Sequence, residues 1–254
     1  MKNISAERVR EEMTKLLVSD EPGKVRKLYE LGITKEIFPE FDVMKATEQD
    51  GRYHCADVGE HTVRVVENVR PTALMRWTAL LHDVGKPACR TVDPVTGAIH
   101  FKGHGPAGAG MAKDILRRFK FDNATIDAAS KLIAWHTSFK HYDEYRLRQT
   151  VCAIGPELYE LLLELKRADS RGKKPEFIES GVARFDAIEE TFRTIMERGD
   201  CCSLDRLAVN GSDLIACGVA PGPEVGRTLR AMLDDVLREP SHNEREYLLS
   251  RFVR

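Results

Sequence analysis

The chain has 254 residues, enough for one large domain or two small ones with a real buried core. Apolar residues at 42% and charged residues at 31% exclude a disordered chain, and no apolar run approaches the ~20 residues of a membrane helix. A net charge of −1 excludes a global basic field for nucleic acid and leaves only a local basic groove open.

Nearly every periodic segment reads as helix. Ser5 can cap a helix on which Val9, Met13, Leu16 and Leu17 repeat at helical spacing. A second helix fits Gly23 to Leu31 and stops at Gly32. A third runs from about Val58 to Val69, carries His61 near its start and ends before Pro71. Trp77, Leu80, Leu81 and Val84 then form an i, i+3, i+4, i+7 stripe broken by Gly85 and Pro87. Thr91 to His100 reads instead as a turn between two short extended pieces, a small hairpin.

Helix resumes after Gly105-Pro106, with Met111, Ile115 and Phe119 on one face. Asn123 is the expected cap of the next helix, Ala124 to Trp135. Gly155-Pro156 opens another, with Leu158, Leu161, Leu162 and Leu165 turned inward. Arg171-Gly172-Lys173-Lys174-Pro175 is the candidate hinge. Helices over roughly 176–198, 211–217 and 222–238 and a short terminal one complete the reading. The expected fold is all-α: a helical bundle with a short β-hairpin insert and flanking N- and C-terminal helices.

The six cysteines, Cys55, Cys89, Cys152, Cys201, Cys202 and Cys217, show no CxxC spacing and read as reduced thiols. Residues 1–5 hold no hydrophobic signal core, so the expectation is a soluble, cytoplasmic protein that does not engage a membrane.

Three stretches set up a metal site: Glu60-His61-Thr62, the run from Leu81 through His82-Asp83 to Pro87, and Arg167-Ala168-Asp169-Ser170. Together they offer two imidazoles and two carboxylates, which suit a hard or borderline divalent cation that activates water. Asp169 falls on the inward face of its helix, four residues after Leu165. A carboxylate there is costly to bury unless metal-bound or paired, for instance with Arg148 or Arg167. His82 and Asp83 point about 100° apart on a helix, so both reach one ion only if it lies against that helix end. His104 and His136 each sit at a helix end, where a lone histidine is more often a cap or a satisfied core residue. His54, His100, His141 and His242 lack such support.

The ordered set His61, His82-Asp83, His104, His136 and Asp169 resembles the HD-domain metal-dependent phosphohydrolases, most clearly in residues 77–87. The resemblance implies a first divalent metal on His61, His82, Asp83 and Asp169. It also implies a second on His104 and His136, with Asp83 bridging. One or two ions are expected, with Mn, Fe, Ni, Co, Mg and Zn not distinguished. Two dications against two carboxylates and a bridging hydroxide leave a net positive site for a phosphate ester. Asp83 and Lys86 are the expected catalytic residues, Lys86 touching a phosphate oxygen or the leaving group; its other reading is a solvated lysine at a helix C-terminus. Gly105 stands where an acidic residue is expected, removing a supporting carboxylate from the second metal.

The likeness extends further. Residues 4–12 resemble the neck of bacterial tRNA nucleotidyltransferases, residues 92–104 their HD insert, and residues 207–214, 221–226 and 243–246 their C-terminal helices. The implied organisation is a neck-like segment over 1–49, an HD core over 50–172 and a helical tail over 173–254. No Gly-Gly pair and no Asp-x-Asp occurs in the sequence, so the nucleotide-adding head of that family is not represented in it.

The leading expectation is therefore a metal-dependent phosphohydrolase of the cyclic phosphodiesterase, nucleotidase or phosphatase type. Its substrate would be a nucleotide, another phosphate-ester small molecule or an RNA end. The alternative is a tRNA- or RNA-binding body that partners a separate nucleotidyltransferase head. Arg8, Arg10, Lys15, Lys24, Arg26 and Lys27 would then offer a basic face, against their plain reading as a solvated helix surface. A di-iron oxygenase with the same six ligands is the third reading.

Overall fold

The computed structural model describes residues 4–54, 56–137 and 143–253, so Cys55 and His141 lie outside the described residues. Helix dominates, as the periodicity requires, with a single two-stranded sheet among the described residues. The chain forms two compact units, one built from residues 1–138 and 160–186, the other from 139–159 and 187–254.

The first unit begins with α1 (Ala6–Val18), capped by Ser5 Oγ, which accepts from Arg8 N–H, and anchored by buried Met13 and Leu17 one turn apart. A 3₁₀ turn leads into α2 (Val25–Glu30), and Gly32 at φ 70° lets the chain reverse in the left-handed region. Two short helices follow, α3 (Ile33–Ile37) and α4 (Pro39–Lys45), with Pro39 in the first turn of α4. Neither was anticipated: five and seven residues are too few to show a period.

Asp57 caps α5 (Val58–Glu67) and Thr72 caps α6 (Ala73–Leu81). Every residue of α6 from Met75 to Leu81 is buried, which makes it the central helix of this unit. Trp77 packs against Phe119 at 5.1 Å and Phe121 at 5.2 Å between ring centroids. The hairpin forms where expected: β1 (Thr91–Val92) pairs antiparallel with β2 (Ile99–His100). Asp93 Oδ1 accepts from the backbone N–H groups of Val95 and Thr96 in its turn.

Next come α7 (His104–Arg118) and α8 (Asn123–Trp135). The cap of α8 is Asp122 rather than Asn123, its carboxylate accepting from Thr125 N–H at 2.9 Å and Thr125 Oγ1 at 2.7 Å. Gly105, expected to cost the site a carboxylate, has a packing reason. A Cβ there would stand 2.7 Å from Thr137 Oγ1 and 3.1 Å from Ala134 O, so the glycine lets the start of α7 touch the end of α8.

α9 (Glu144–Ile154), unread in the sequence, belongs to the second unit. α10 (Pro156–Arg171) and α11 (Pro175–Arg198) each contribute to both units. The second unit continues through α12 (Gly211–Ala216), α13 (Pro223–Arg238) and α14 (Arg245–Phe252). Its core includes Leu147, Val151, Tyr159, Phe192, Leu214, Met232, Val236 and Leu248. Arg148, 4% exposed, ties it together: Nε donates to Leu237 O at 2.7 Å and Nη1 reaches Asp200 Oδ2 at 3.0 Å. Among the described residues, no helix is long and apolar enough to cross a membrane.

Candidate metal centre

Five helices of the first unit bring the six expected ligands together. His61 comes from the first turn of α5, His82-Asp83 from the end of α6, and His104 from the start of α7. His136 follows the last residue of α8, and Asp169 lies in the last turn of α10. His61, His82 and Asp83 are at most 1% exposed. Solvent reaches the group past Asp169, whose side chain is 26% exposed, and His104 at 17%.

Asp83 stands between two groups of histidines. Its Oδ2 lies 3.1 Å from His82 Nε2 and 3.6 Å from His61 Nε2. Its Oδ1 lies 3.3 Å from His104 Nε2 and 3.5 Å from His136 Nε2. Asp169 Oδ1 joins the first group, 3.0 Å from His61 Nε2. His61, His82 and Asp83 could hold one cation, and Asp83, His104 and His136 a second.

The tautomers decide what such a cluster fits. Each histidine turns Nδ1 toward a backbone carbonyl: His61 to Gly172 at 3.1 Å, His82 to Ala79 at 2.7 Å, His104 to Phe101 at 2.6 Å and His136 to Ile133 at 2.6 Å. A carbonyl only accepts, so Nδ1 carries the hydrogen, and in a neutral ring Nε2 presents a lone pair. Four lone pairs thus face two carboxylates. That is unfavourable unless a cation or extra protons lie among them, and it is how metal-ligating histidines are oriented. Ligand atoms about 2.1 Å from a shared ion stand about 3.0–3.4 Å apart, close to the separations seen here. His82 Nε2 makes no hydrogen bond of normal geometry, and Asp83 Oδ2 meets the Lys86 ammonium at 2.7 Å, a cation already beside the first ligand group.

Titration follows from this crowding. Burial alone would raise the Asp83 carboxyl, but His82 and Lys86 beside it, with contacts to His104 and His136, hold it well below the carboxylate range. Burial disfavours a second proton on His82, yet Asp83 more than offsets this and its pKa is raised. Burial dominates at His136 and lowers it to about 4.

Asp169 meets neither arginine suggested as its partner. Its Oδ2 pairs with Lys173 at 2.9 Å, while Arg167 pairs with Asp186 and Arg148 with Glu144 and Asp200. Lys86 is not a solvated lysine. It is 6% exposed, with Nζ 2.7 Å from Asp83 Oδ2 and donating to Gln49 Oε1 at 2.6 Å.

Four neighbours escaped the sequence reading. Lys173 stands four residues after Asp169, a spacing that could have revealed it. Lys166, 5% exposed, donates to His136 O at the end of α8, and burial holds its pKa well below the usual lysine value. His54 packs edge-on to His61 at 4.8 Å between centroids, with Nδ1 buried and unpartnered; burial, then Lys86 and His61, lower its pKa to about 3. Gln49 carries no signal in sequence.

A helical body in which five helices converge on a histidine-carboxylate cluster defines the class. The comparisons supply the family. Residues 108–252 match the family described as "tRNA nucleotidyltransferase domain 2 putative", and residues 1–45 match "Probable RNA and SrmB-binding site of polymerase A". The first match covers more than half of the chain, which belongs to that tRNA nucleotidyltransferase family.

Among its relatives is the A-adding tRNA nucleotidyltransferase of Deinococcus radiodurans, 32% identical over 238 residues, covering 90% of this chain and 54% of that protein. The CC-adding tRNA nucleotidyltransferase of Thermus thermophilus is 30% identical over 237 residues, covering 90% and 52%. A multifunctional CCA protein of Neisseria meningitidis is 28% identical over 180 residues, covering 66% and 42%. The chain thus spans about half the length of these relatives. The A-adding and CC-adding relatives, similar over nearly the whole chain, are transferases, and this overturns the expectation of a phosphohydrolase. The similarity therefore does not support a phosphodiesterase, nucleotidase or phosphatase activity, the reaction for which Asp83 and Lys86 were the expected catalytic residues.

Proposed function

We propose that this chain is the tRNA-binding body of a tRNA nucleotidyltransferase, which holds tRNA for a head that adds nucleotides to it. The observation that carries the reading is the pair of matches, an RNA-binding segment over 1–45 and a tRNA nucleotidyltransferase domain over 108–252. Similarity to the A-adding and CC-adding enzymes over 90% of the chain supports it. In this reading residues 1–49 act as a neck, 50–172 carry the metal centre and 173–254 form a tail.

The metal centre belongs to the same proposal. His61, His82, Asp83 and Asp169 hold one divalent cation, and His104 and His136 hold a second, with Asp83 shared. A bound cation supplies positive charge and a link between α5, α6, α7, α8 and α10. The protein's own contribution is orientation, since each Nδ1–H···O=C contact keeps an Nε2 lone pair aimed inward. Lys86 and Lys173 neutralise Asp83 and Asp169 whenever no cation does so.

The test is binding of a tRNA transcript across a salt series. Affinity that falls linearly with salt on logarithmic axes, and exceeds that for a DNA duplex of equal length, supports the reading. No binding at low salt refutes it.

A further inference from the structure

The basic face expected on α1 and α2 is largely spent. Lys15 pairs with Glu12 at 2.9 Å, Lys27 with Glu30 at 3.0 Å, Lys24 with Glu21, and Arg26 with Glu60 and Glu67. Arg10 is placed differently. It borders an open cleft of about 710 Å³ where α1 meets the turn joining α7 to α8.

Arg10 and Lys15 line one side of this cleft, and Lys120 and Phe121 the other. The Arg10 guanidinium lies 5.5 Å above the Phe121 ring, and Nη1 donates to Lys120 O. Phe121 packs edge-on against the buried Trp77, 5.2 Å between centroids, whose Nε1–H donates to Thr14 Oγ1 at 2.8 Å. The guanidinium therefore covers one face of the ring, and this cation–π pair lines the cleft with its positive charge outermost. Pairs of this type stack bases and track a phosphate backbone.

Lys120 adds a separate observation. It ends α7 at φ 59°, the only non-glycine residue in the left-handed region among the described residues. Glycine is usual at that position, because a Cβ disfavours the left-handed region. The chain places an exposed lysine there, beside the cleft. Two acidic residues also line it. Asp122 is occupied by the α8 cap, and Glu11 stands exposed on α1.

The cleft also lies where the two matched segments meet, with Arg10 and Lys15 from residues 1–45 and Lys120 and Phe121 from residues 108–252. We infer that this cleft is a tRNA-contacting surface of the first unit, with phosphates against Arg10 and Lys120 and a base stacked on the Arg10–Phe121 pair. The inference rests on the tRNA-binding reading and locates that binding.

The experiment is tRNA-transcript binding by fluorescence anisotropy, with the full chain, over a salt series. Arg10→Gln with Lys120→Gln should lower the slope of log affinity against log salt by about 1.8, two contacts at about 0.9 each. Lys120→Gln alone, which keeps the Arg10 contacts, should lower it by about half as much. Arg90→Gln with Lys102→Gln, two exposed cations outside both matched segments and the cleft, should leave it unchanged. Phe121→Leu should weaken binding about fivefold or more at every salt with the slope kept, whereas Phe121→Tyr should bind as wild type. If wild type binds and the Arg10 and Lys120 variants keep its slope, the cleft is not the surface and the tRNA-binding reading stands. If wild type binds no tRNA, both fall.

Discussion

Lys86 Nζ lies 2.7 Å from Asp83 Oδ2, the same oxygen that faces His61 and His82. The ammonium therefore stands in for a cation on the first ligand group, and Gln49 Oε1 offers it a second anchor at 2.6 Å.

Lys86→Met keeps the apolar stem and removes this charge. Without metal, Asp83 then remains ionised, buried and stripped of its ammonium, which costs about 3 kcal/mol. The variant should melt well below wild type in EDTA and recover most of the difference when a divalent ion is added. Equal melting temperatures in EDTA would show that Lys86 is not the counter-charge of Asp83.

Gly85 sets the distance between the two ligand groups. A Cβ there would stand 2.4 Å from His104 O and 2.6 Å from Gly108 N, both backbone atoms of α7 that cannot rotate away. Gly85→Ala should push the start of α7, and His104 with it, away from Asp83 Oδ1. The expected result is loss of one bound metal per chain, with the ion on His61, His82 and Asp169 retained. Metal analysis after dialysis reads this directly, and unchanged stoichiometry would exclude the role given to Gly85.

These two relationships mark where sequence reasoning stops. The helices carrying ligands were legible because α5, α6, α7, α8 and α10 are long enough to show a period and end at Gly, Pro or a cap residue. The six ligands were legible as an ordered set, and the structure brings all six together. α3 and α4 were not legible, being shorter than a period reveals. Gln49 and His54 reach the cluster from a segment that the sequence reading left unassigned, and no local pattern announces such a contact. Function is not legible in the ligand set: water-activating ligands imply hydrolysis, whereas similarity over nearly the whole chain points to tRNA nucleotidyltransferases.

Stability should depend on pH through the buried imidazoles. His136 has a folded-state pKa of about 4, below the unfolded value of about 6.5, and His54 is lowered in the same sense to about 3. The unfolded chain binds more protons between these values, so stability is present above about pH 6.5 and is lost as pH falls toward 4. For His136 the full effect is about 3 kcal/mol, taking 1.36 kcal/mol per pKa unit. His82 works in the opposite sense, because its raised pKa gives stability that is lost as pH rises through it. Urea unfolding in EDTA should give a lower free energy at pH 4.5 than at pH 7, and His136→Gln should flatten that difference. A wild-type free energy equal at both values would contradict the buried neutral ring.

Metal removal should be visible without any assay of activity. A cation held by residues of five helices would bind the folded state alone, so an ion at about one hundred times its dissociation constant would add about 2.7 kcal/mol. The melting temperature should rise with ion concentration, and EDTA should reverse the rise. Binding should also release protons near neutral pH, because His82, its pKa raised by Asp83, must give up its second proton to ligate. Calorimetry in buffers of different ionisation enthalpy should find net proton release on binding of the first metal. His82→Ala should remove both the proton release and the first site, since the position then offers no Nε2 to the cation. Metal-independent melting in wild type would mean that the inward-facing imidazoles are held by protons and hydrogen bonds alone.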